Sequence, residues 1–284
     1  MSPLKRLRGR TPADASTPAP QPAPAGASAG APTRAGDAGP QGSPPSGLGH
    51  RLGHTLPVLL LRAAHPKQAV LTALGLAATA AVAGRPAREA ALVLVTVLVG
   101  QAILGWDNDL VDRVRDERHE RPGKPIAHGL LEPGTVWFTV TCALLLVVPL
   151  SLSAGPRAGG AYLVSLLIAL VGNRFLRGSF LSFVPWVLSF GLYPAYIAYG
   201  GWNGVPSETP PTVTITVLAA LLGLGVHVLR ALPGLVPDNI DGMRSLPLRL
   251  ALKTGAPRLL LIAGIFTSVV GVALPISARA LGLD

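Results

Sequence analysis

The chain has 284 residues and a formal net charge of +10, yet only 13% of it is charged, 49% is hydrophobic and the mean hydropathy is +0.48. A water-soluble domain carries about twice that charged fraction, so a soluble globular fold is excluded. The single cysteine, Cys142, excludes a disulfide framework and a thiolate metal site.

Residues 1–50 are Pro/Ala/Gly/Ser low complexity and cannot bury enough apolar surface to offset the entropy of ordering. They open with Lys5, Arg6, Arg8 and Arg10, but no apolar run follows as a signal peptide would require. The reading is a disordered cytoplasmic tail over 1–50, weakly attracted to anionic lipid. Residues 51–284 form a transmembrane unit. Apolar runs of spanning length, roughly 17–25 residues, occur at about 68–84, 89–106, 135–154, 159–176, 180–200, 212–231 and 257–278. They lack the alternation of a membrane barrel, so the expected fold is all-α, a polytopic bundle of about seven spans. Within the fifth, Pro185 and Pro194 predict a bent helix.

Lys and Arg placement sets the expected orientation. With the N-terminus inside, the loops 107–134, 174–180 and 230–258 hold twelve basic residues, whereas the outer segments hold four. The expected location is the plasma membrane, with the tail and these loops cytoplasmic. The positive charge is then a topology signal, and no nucleic-acid partner is expected.

Acidic residues number 14, and six of them fall between 107 and 120. If the second span continues as a helix past the bilayer edge, Asn108, Asp109, Asp112 and Asp116 share about 100° of arc. Carboxylates so placed repel one another, and a divalent cation reverses that sign; an oxygen-rich, cysteine-free set suits Mg²⁺ or Mn²⁺. The plainer alternative is a solvated helix with local pairs Asp109–Arg113, Asp112–Arg115, Glu117–Arg121 and Glu120–Lys124. A second polar loop after the sixth span carries Asp238, Asp241, Arg244, Arg249 and Lys253 on the same expected side. Two acidic loops facing one another could hold metal ions that bridge a diphosphate. Phe183, Trp186, Phe190 and Tyr193 recur along one face of the fifth span, as cavity lining or as ordinary packing; Tyr196, Tyr199 and Trp202 fit an outer aromatic belt. His65, His119 and His128 lack ligand spacing and receive no role.

"NDLVDRVRD" at 108–116 resembles the N-D-x-x-D-x-x-x-D element of the UbiA superfamily of intramembrane prenyltransferases. "RPGKP" at 121–125, "LRAAHPKQ" at 61–68, "GNRFLRGSFLSFVPWVLSFGLYP" at 172–194 and "LPGLVPDNIDGMRSLPLRL" at 232–250 are similar to further elements of that family. The resemblance implies a nine-span fold, of which seven are visible, and transfer of an isoprenyl group from a prenyl diphosphate to a lipid-soluble acceptor of aromatic or quinone type. It implies Mg²⁺ held by Asn108, Asp109, Asp112, Asp116, Asp238 and Asp241, and diphosphate held by Arg62, Arg121, Lys124, Arg177 and Arg244. Asp112, Asp116, Arg121 and Arg177 would be catalytic. Three positions depart from the family pattern: Gly172 for a Tyr, Arg177 for a Lys, and Gly234 for the first Asp of the second loop. A catalytically weakened member serving lipid binding or assembly is therefore the alternative. "DNIDGMR" also imitates the start of the CDP-alcohol phosphotransferase motif, but the Ala-Arg does not follow. A transporter would place charge inside its spans, which here are nearly free of acid.

Overall fold

A computed structural model describes residues 54–201 and 209–280, so the 1–50 tail and Trp202 lie outside it. The described chain is helical: α1 (Leu56–Ala63), α2 (Pro66–Val82), α3 (Ala87–Arg118), α4 (Pro133–Leu152), α5 (Pro156–Val171), α6 (Val184–Ala198), α7 (Val213–Ala231), α8 (Leu235–Ile240), α9 (Leu246–Thr254) and α10 (Ala256–Ala280). Proline sits in the first turn of α1, α2, α4, α5, α6 and α9, where its missing N–H costs no hydrogen bond. Pro185 is one of these. It opens α6 rather than bending it, and only Pro194 lies inside that helix.

Six helical stretches, not seven, are long and apolar enough to cross a membrane among the described residues: Ala87–Arg118, Pro133–Leu152, Pro156–Leu176, Phe180–Ala198, Val213–Ile240 and Ala256–Ala278. The protein is a multi-pass membrane protein. The expected first span forms α2, of 17 residues; at 1.5 Å per residue it reaches about 26 Å, short of a hydrocarbon core of about 30 Å. A left-handed His65 (φ 53°) separates it from α1 instead of letting the two run on as one helix.

Consecutive helices pack in sequence, α2 on α3 through α6 on α7, and α10 closes on α7. Val97, Val136, Val147 and Ala158 are wholly buried between them. Phe138, Leu145, Leu261 and Val269 point outward, as side chains facing lipid do. Gly105 shows how close the backbones come, since a Cβ there would lie 2.6 Å from the carbonyl oxygen of Ala64. One residue on, the Trp106 indole donates to Leu60 O at 2.9 Å, so α1 is docked on α3. At the other end of α3, Arg85 donates to the carbonyls of Ile197 and Ala198 at 2.9 and 3.0 Å, and its charge suits the C-terminus of α6.

Candidate active site

Nothing between Leu104 and Arg118 breaks a helix, and α3 runs unbroken for 32 residues, about 48 Å. Its last three turns therefore leave the bilayer as helix. Asp109, Asp112 and Asp116 fall on one face and are 2%, 6% and 1% exposed, while Arg113, Val114 and Glu117 face out. Buried charge is tolerable only when paired. The pairs that form reach beyond one helical turn, and none of the four local pairs offered by the sequence is among them.

The segment after α3 folds back over it. Gly123, at φ +78°, turns the chain in "RPGKP", and Pro125 and Ile126 bury behind the turn. Lys124 Nζ then reaches Asp109 Oδ1 at 2.5 Å and Asp116 Oδ2 at 3.3 Å, and Arg121 Nε lies 3.6 Å from Asp116 Oδ1. His65, at the break between α1 and α2, meets Asp109 Oδ1 through Nε2 at 2.7 Å. Arg177 pairs with Asp112. It stands just after a π-helical turn, Gly172–Leu176, that packs tightly on the start of α6. A Cβ on Gly172 would lie 2.3 Å from Pro185 Cγ, so this approach leaves no room for the Tyr of the family pattern. From the same turn, Arg174 pairs with Asp107 at 2.5 Å.

The second loop meets the first through Arg115. Its guanidinium pairs with Asp238 and, at 2.5 Å, with Asp241. Arg118 and His119 add to the grip on Asp241 at 3.3 and 3.0 Å. Hydrogen bonds from Arg115 and then His119 hold the Asp241 carboxyl down to about 2 from its ordinary 3.8. At Gly234 a Cβ would lie 3.2 Å from Arg121 Nη2 and 3.5 Å from Asp238 Oδ1, so the missing carboxylate would have stood between the two loops.

A cavity of about 1940 Å³ opens from this junction, with Asn108, Asp112, Arg121, Lys124, Arg177 and Asp238 on its polar wall. Trp186, Phe190 and Tyr193 line its apolar part. Phe183 does not; it meets Phe180 edge-on at 5.9 Å, and Tyr196 stacks on Tyr162 at 4.9 Å within the core. Arg62 and Arg244 are exposed and off the cavity wall, because Arg62 lies on the outer face of α1 and Arg244 follows the turn at Gly242. Of the diphosphate set implied by the resemblance, Arg121, Lys124 and Arg177 lie on the cavity wall. His65 and His119, given no role by spacing, are direct partners of site carboxylates. The signal for His65 lay in "LRAAHPKQ", where a residue before Pro66 was bound to mark a break in the helix.

Among the described residues no three His, Cys, Asp or Glu side chains gather tightly enough to close around a metal ion. Mg²⁺ does not require this, since it binds through one or two carboxylates and completes its shell with water and phosphate. Asp109 Oδ2 and both oxygens of Asp116 are buried without a hydrogen bond, the latter held only in the longer ion pairs with Arg121 and Lys124, and hard oxygen donors of this kind fit the ion. Asp238 and Asp241 are committed to Arg115 and fit it less well.

The described residues thus form a multi-pass helical bundle with one large cavity whose mouth is lined by interlocked acids and bases. The UbiA prenyltransferase family model matches residues 69–283. The chain belongs to that family. It is similar to the chloroplastic chlorophyll synthase of Avena sativa, 27% identical over 186 residues, covering 57% of this chain and 46% of the relative. The Arabidopsis thaliana chlorophyll synthase is 26% identical over 190 residues, covering 60% and 46%. The chain spans about half the length of these relatives. A UbiA homolog from Archaeoglobus fulgidus, bound to DMAPP and Mg²⁺, shares the fold with a TM-score of 0.59 at 17% identity, covering 77% of this chain and 78% of that one.

Proposed function

We infer that the chain is an integral-membrane prenyltransferase that moves an isoprenyl group from a prenyl diphosphate to a lipid-soluble acceptor. The observation that carries this reading is the meeting of two acidic loops through Arg115 at the mouth of a single greasy cavity. A diphosphate at that mouth faces Arg121, Lys124 and Arg177, and the isoprenoid tail follows the apolar wall. Arg177 keeps a buried Nη1 without a hydrogen-bond partner, a donor available to phosphate oxygen. Asn108, Asp109, Asp112 and Asp116 would hold Mg²⁺, and Asp238 with Asp241 would complete the opposite side. Bound there, Mg²⁺ supplies charge that stabilises a departing diphosphate.

The residues of the chain do the rest. Arg121, Lys124 and Arg177 neutralise negative charge as the allylic C–O bond lengthens. Trp186, Phe190 and Tyr193 offer an electron-rich, dry surface beside the developing cation. The Lys/Arg bias supports placing this mouth on the cytoplasmic side of the plasma membrane, with the 1–50 tail as a separate cytoplasmic segment.

The test is the purified protein in nanodiscs with Mg²⁺, labelled geranylgeranyl diphosphate and a membrane-lipid extract. Diphosphate release and a prenylated product are expected, and both should vanish in Asp112→Ala. Gly234 and the commitment of Asp238 and Asp241 to one arginine favour a second reading, a weakened member that binds prenyl lipids without turnover. Tight donor binding with no release would establish that reading instead.

A further inference from the structure

Between Gly242 and Leu283 the sequence holds no Asp or Glu, and four of its basic residues, Arg244, Arg249, Lys253 and Arg258, fall between 244 and 258. All four are exposed. They ride on α9 or flank it, and α9 joins the span Val213–Ile240 to the span Ala256–Ala278 at the end of the bundle where the mouth lies. Left-handed glycines stand at both of its ends, Gly242 at φ +68° and Gly255 at φ +81°, so α9 prolongs neither span. A helix of nine residues, about 14 Å long and tied to two spans at one membrane edge, is tethered close to the lipid headgroups.

The two faces of α9 differ. Pro247 and Leu248 are buried, and Leu250 and Ala251 pack with Val228 of α7 and Leu259 of α10. The other face carries Arg249, Leu252 and Lys253, which i,i+3 and i,i+4 spacing sets side by side. Leu252 is 66% exposed there, so this face mixes a free apolar side chain with two long cations. The turn that leads into α6 widens it. The N–H of Arg244 donates to Gly178 O at 2.8 Å, and that of Leu246 donates to Ser182 Oγ at 3.2 Å. Beside these bonds Phe180 and Leu181 are exposed, and the Arg249 guanidinium lies 5.3 Å from the Phe180 ring centroid. Exposed Phe and Leu among long basic side chains suit the boundary between headgroups and acyl chains, where the stems lie on apolar surface and the charges reach phosphate. A water-soluble acidic partner would match the charges but not this position at the bilayer edge.

We propose that α9 is an in-plane anchor that docks on anionic phospholipid. Arg249 and Lys253 meet the headgroup phosphates, Arg244 and Arg258 flank them, and Leu252, Phe180 and Leu181 enter the acyl boundary. The apolar side of α9 is taken up by protein contacts, so its hold on the bilayer comes mainly from charge. The docking is independent of the prenyltransferase reading. It fixes the far end of the loop that carries Asp238 and Asp241, because only Gly242 and Met243 separate Asp241 from Arg244.

The test uses the full chain with Cys142→Ser and Leu252→Cys, labelled with bimane at the introduced thiol. It is reconstituted in vesicles of phosphatidylcholine with phosphatidylglycerol as the minor component. One lipid or the other is supplied brominated, and quenching per brominated lipid reports which of them surrounds α9. Phosphatidylglycerol is expected to quench at least about fivefold more strongly than phosphatidylcholine, as even one basic residue near an anionic surface implies. High salt should bring that ratio toward one. Arg249→Gln combined with Lys253→Gln should lower it below about twofold at low salt, since both cations of the exposed face are gone. Arg113→Gln, an exposed position on α3, should leave it unchanged. Monodisperse elution and a normal melting temperature show that each variant is folded. Quenching by neither lipid would put α9 in water, as a face for an acidic protein, and overturn the proposal. So would equal quenching by both lipids at low salt, or a preference that survives the double substitution. If the double variant does not fold, the salt series on the labelled parent decides, and a flat response there overturns the anchor.

Discussion

The two acidic regions of the mouth are built differently. In the first, three carboxylates ride one uninterrupted helix, nearly sealed from solvent, and each is answered by cations from elsewhere: Lys124, Arg121, His65 and Arg177. In the second, Asp238 and Asp241 sit on a short helix and its end, with Gly234 where a third acid would stand, and both lean on Arg115. The first region carries its own scaffold, and the second borrows its position from the first. Substitutions in the two should therefore differ in size and in kind.

The sharpest contrast comes from Asp112→Ala, which frees Arg177 and removes a carboxylate on the cavity wall. Turnover should drop on the order of 10²–10³-fold with expression unchanged, and a loss below tenfold would place the chemistry elsewhere. Next is Arg115→Ala. It leaves the first region intact but releases both carboxylates of the second, and activity should fall about ten- to a hundredfold as the loop drifts. Accelerated protease cleavage within 235–245 should accompany it. If cleavage is unchanged, Arg115 does not dock the loop.

Gly234→Asp narrows the difference between the regions by giving the second its absent acid beside Arg121. The Mg²⁺ concentration for half-maximal activity should fall about two- to fivefold, since a further carboxylate strengthens a hard-cation site. A rise would mean that the new side chain displaces Arg121 instead. The smallest effect is on pH. The Asp241 carboxyl is held below its ordinary value, so its contribution to stability is fully present above 3.8 and lost only as pH falls through about 2. The melting-temperature difference between wild type and Asp241→Asn should accordingly stay level between about pH 8 and pH 9, clear of the range in which imidazoles change charge. A difference that vanished within that window would show that the pairing with Arg115 is not what lowers this group.

Hydropathy made the bundle legible because each span is apolar over most of a bilayer thickness, and Pro and Gly marked the turns. The count slipped at α2, where a 17-residue helix and an apolar run of the same length look identical until His65 is seen in the left-handed region. In the site, the spacing of Asp109, Asp112 and Asp116 showed their common face, since helical periodicity is a local property. Their partners were not readable. Local i,i+3 and i,i+4 rules offered Arg113 and Arg115, but tertiary packing brought Lys124, His65 and Arg177, and sent Arg115 across to Asp238. Arg62 and Arg244 matched by position in the chain yet face away, which only the direction of a Cα–Cβ bond decides.

The unbroken run of α3 acts as an axle. Val97 and Ile103 are seated among neighbouring helices along one part of it, and the carboxylates project from the same shaft beyond. One extra residue slipped in between Ile103 and Asp107 would turn the whole acidic set by about 100° and advance it about 1.5 Å, while everything upstream stayed in register. The angular setting of the chemistry is thus indexed by greasy side chains that never meet a substrate.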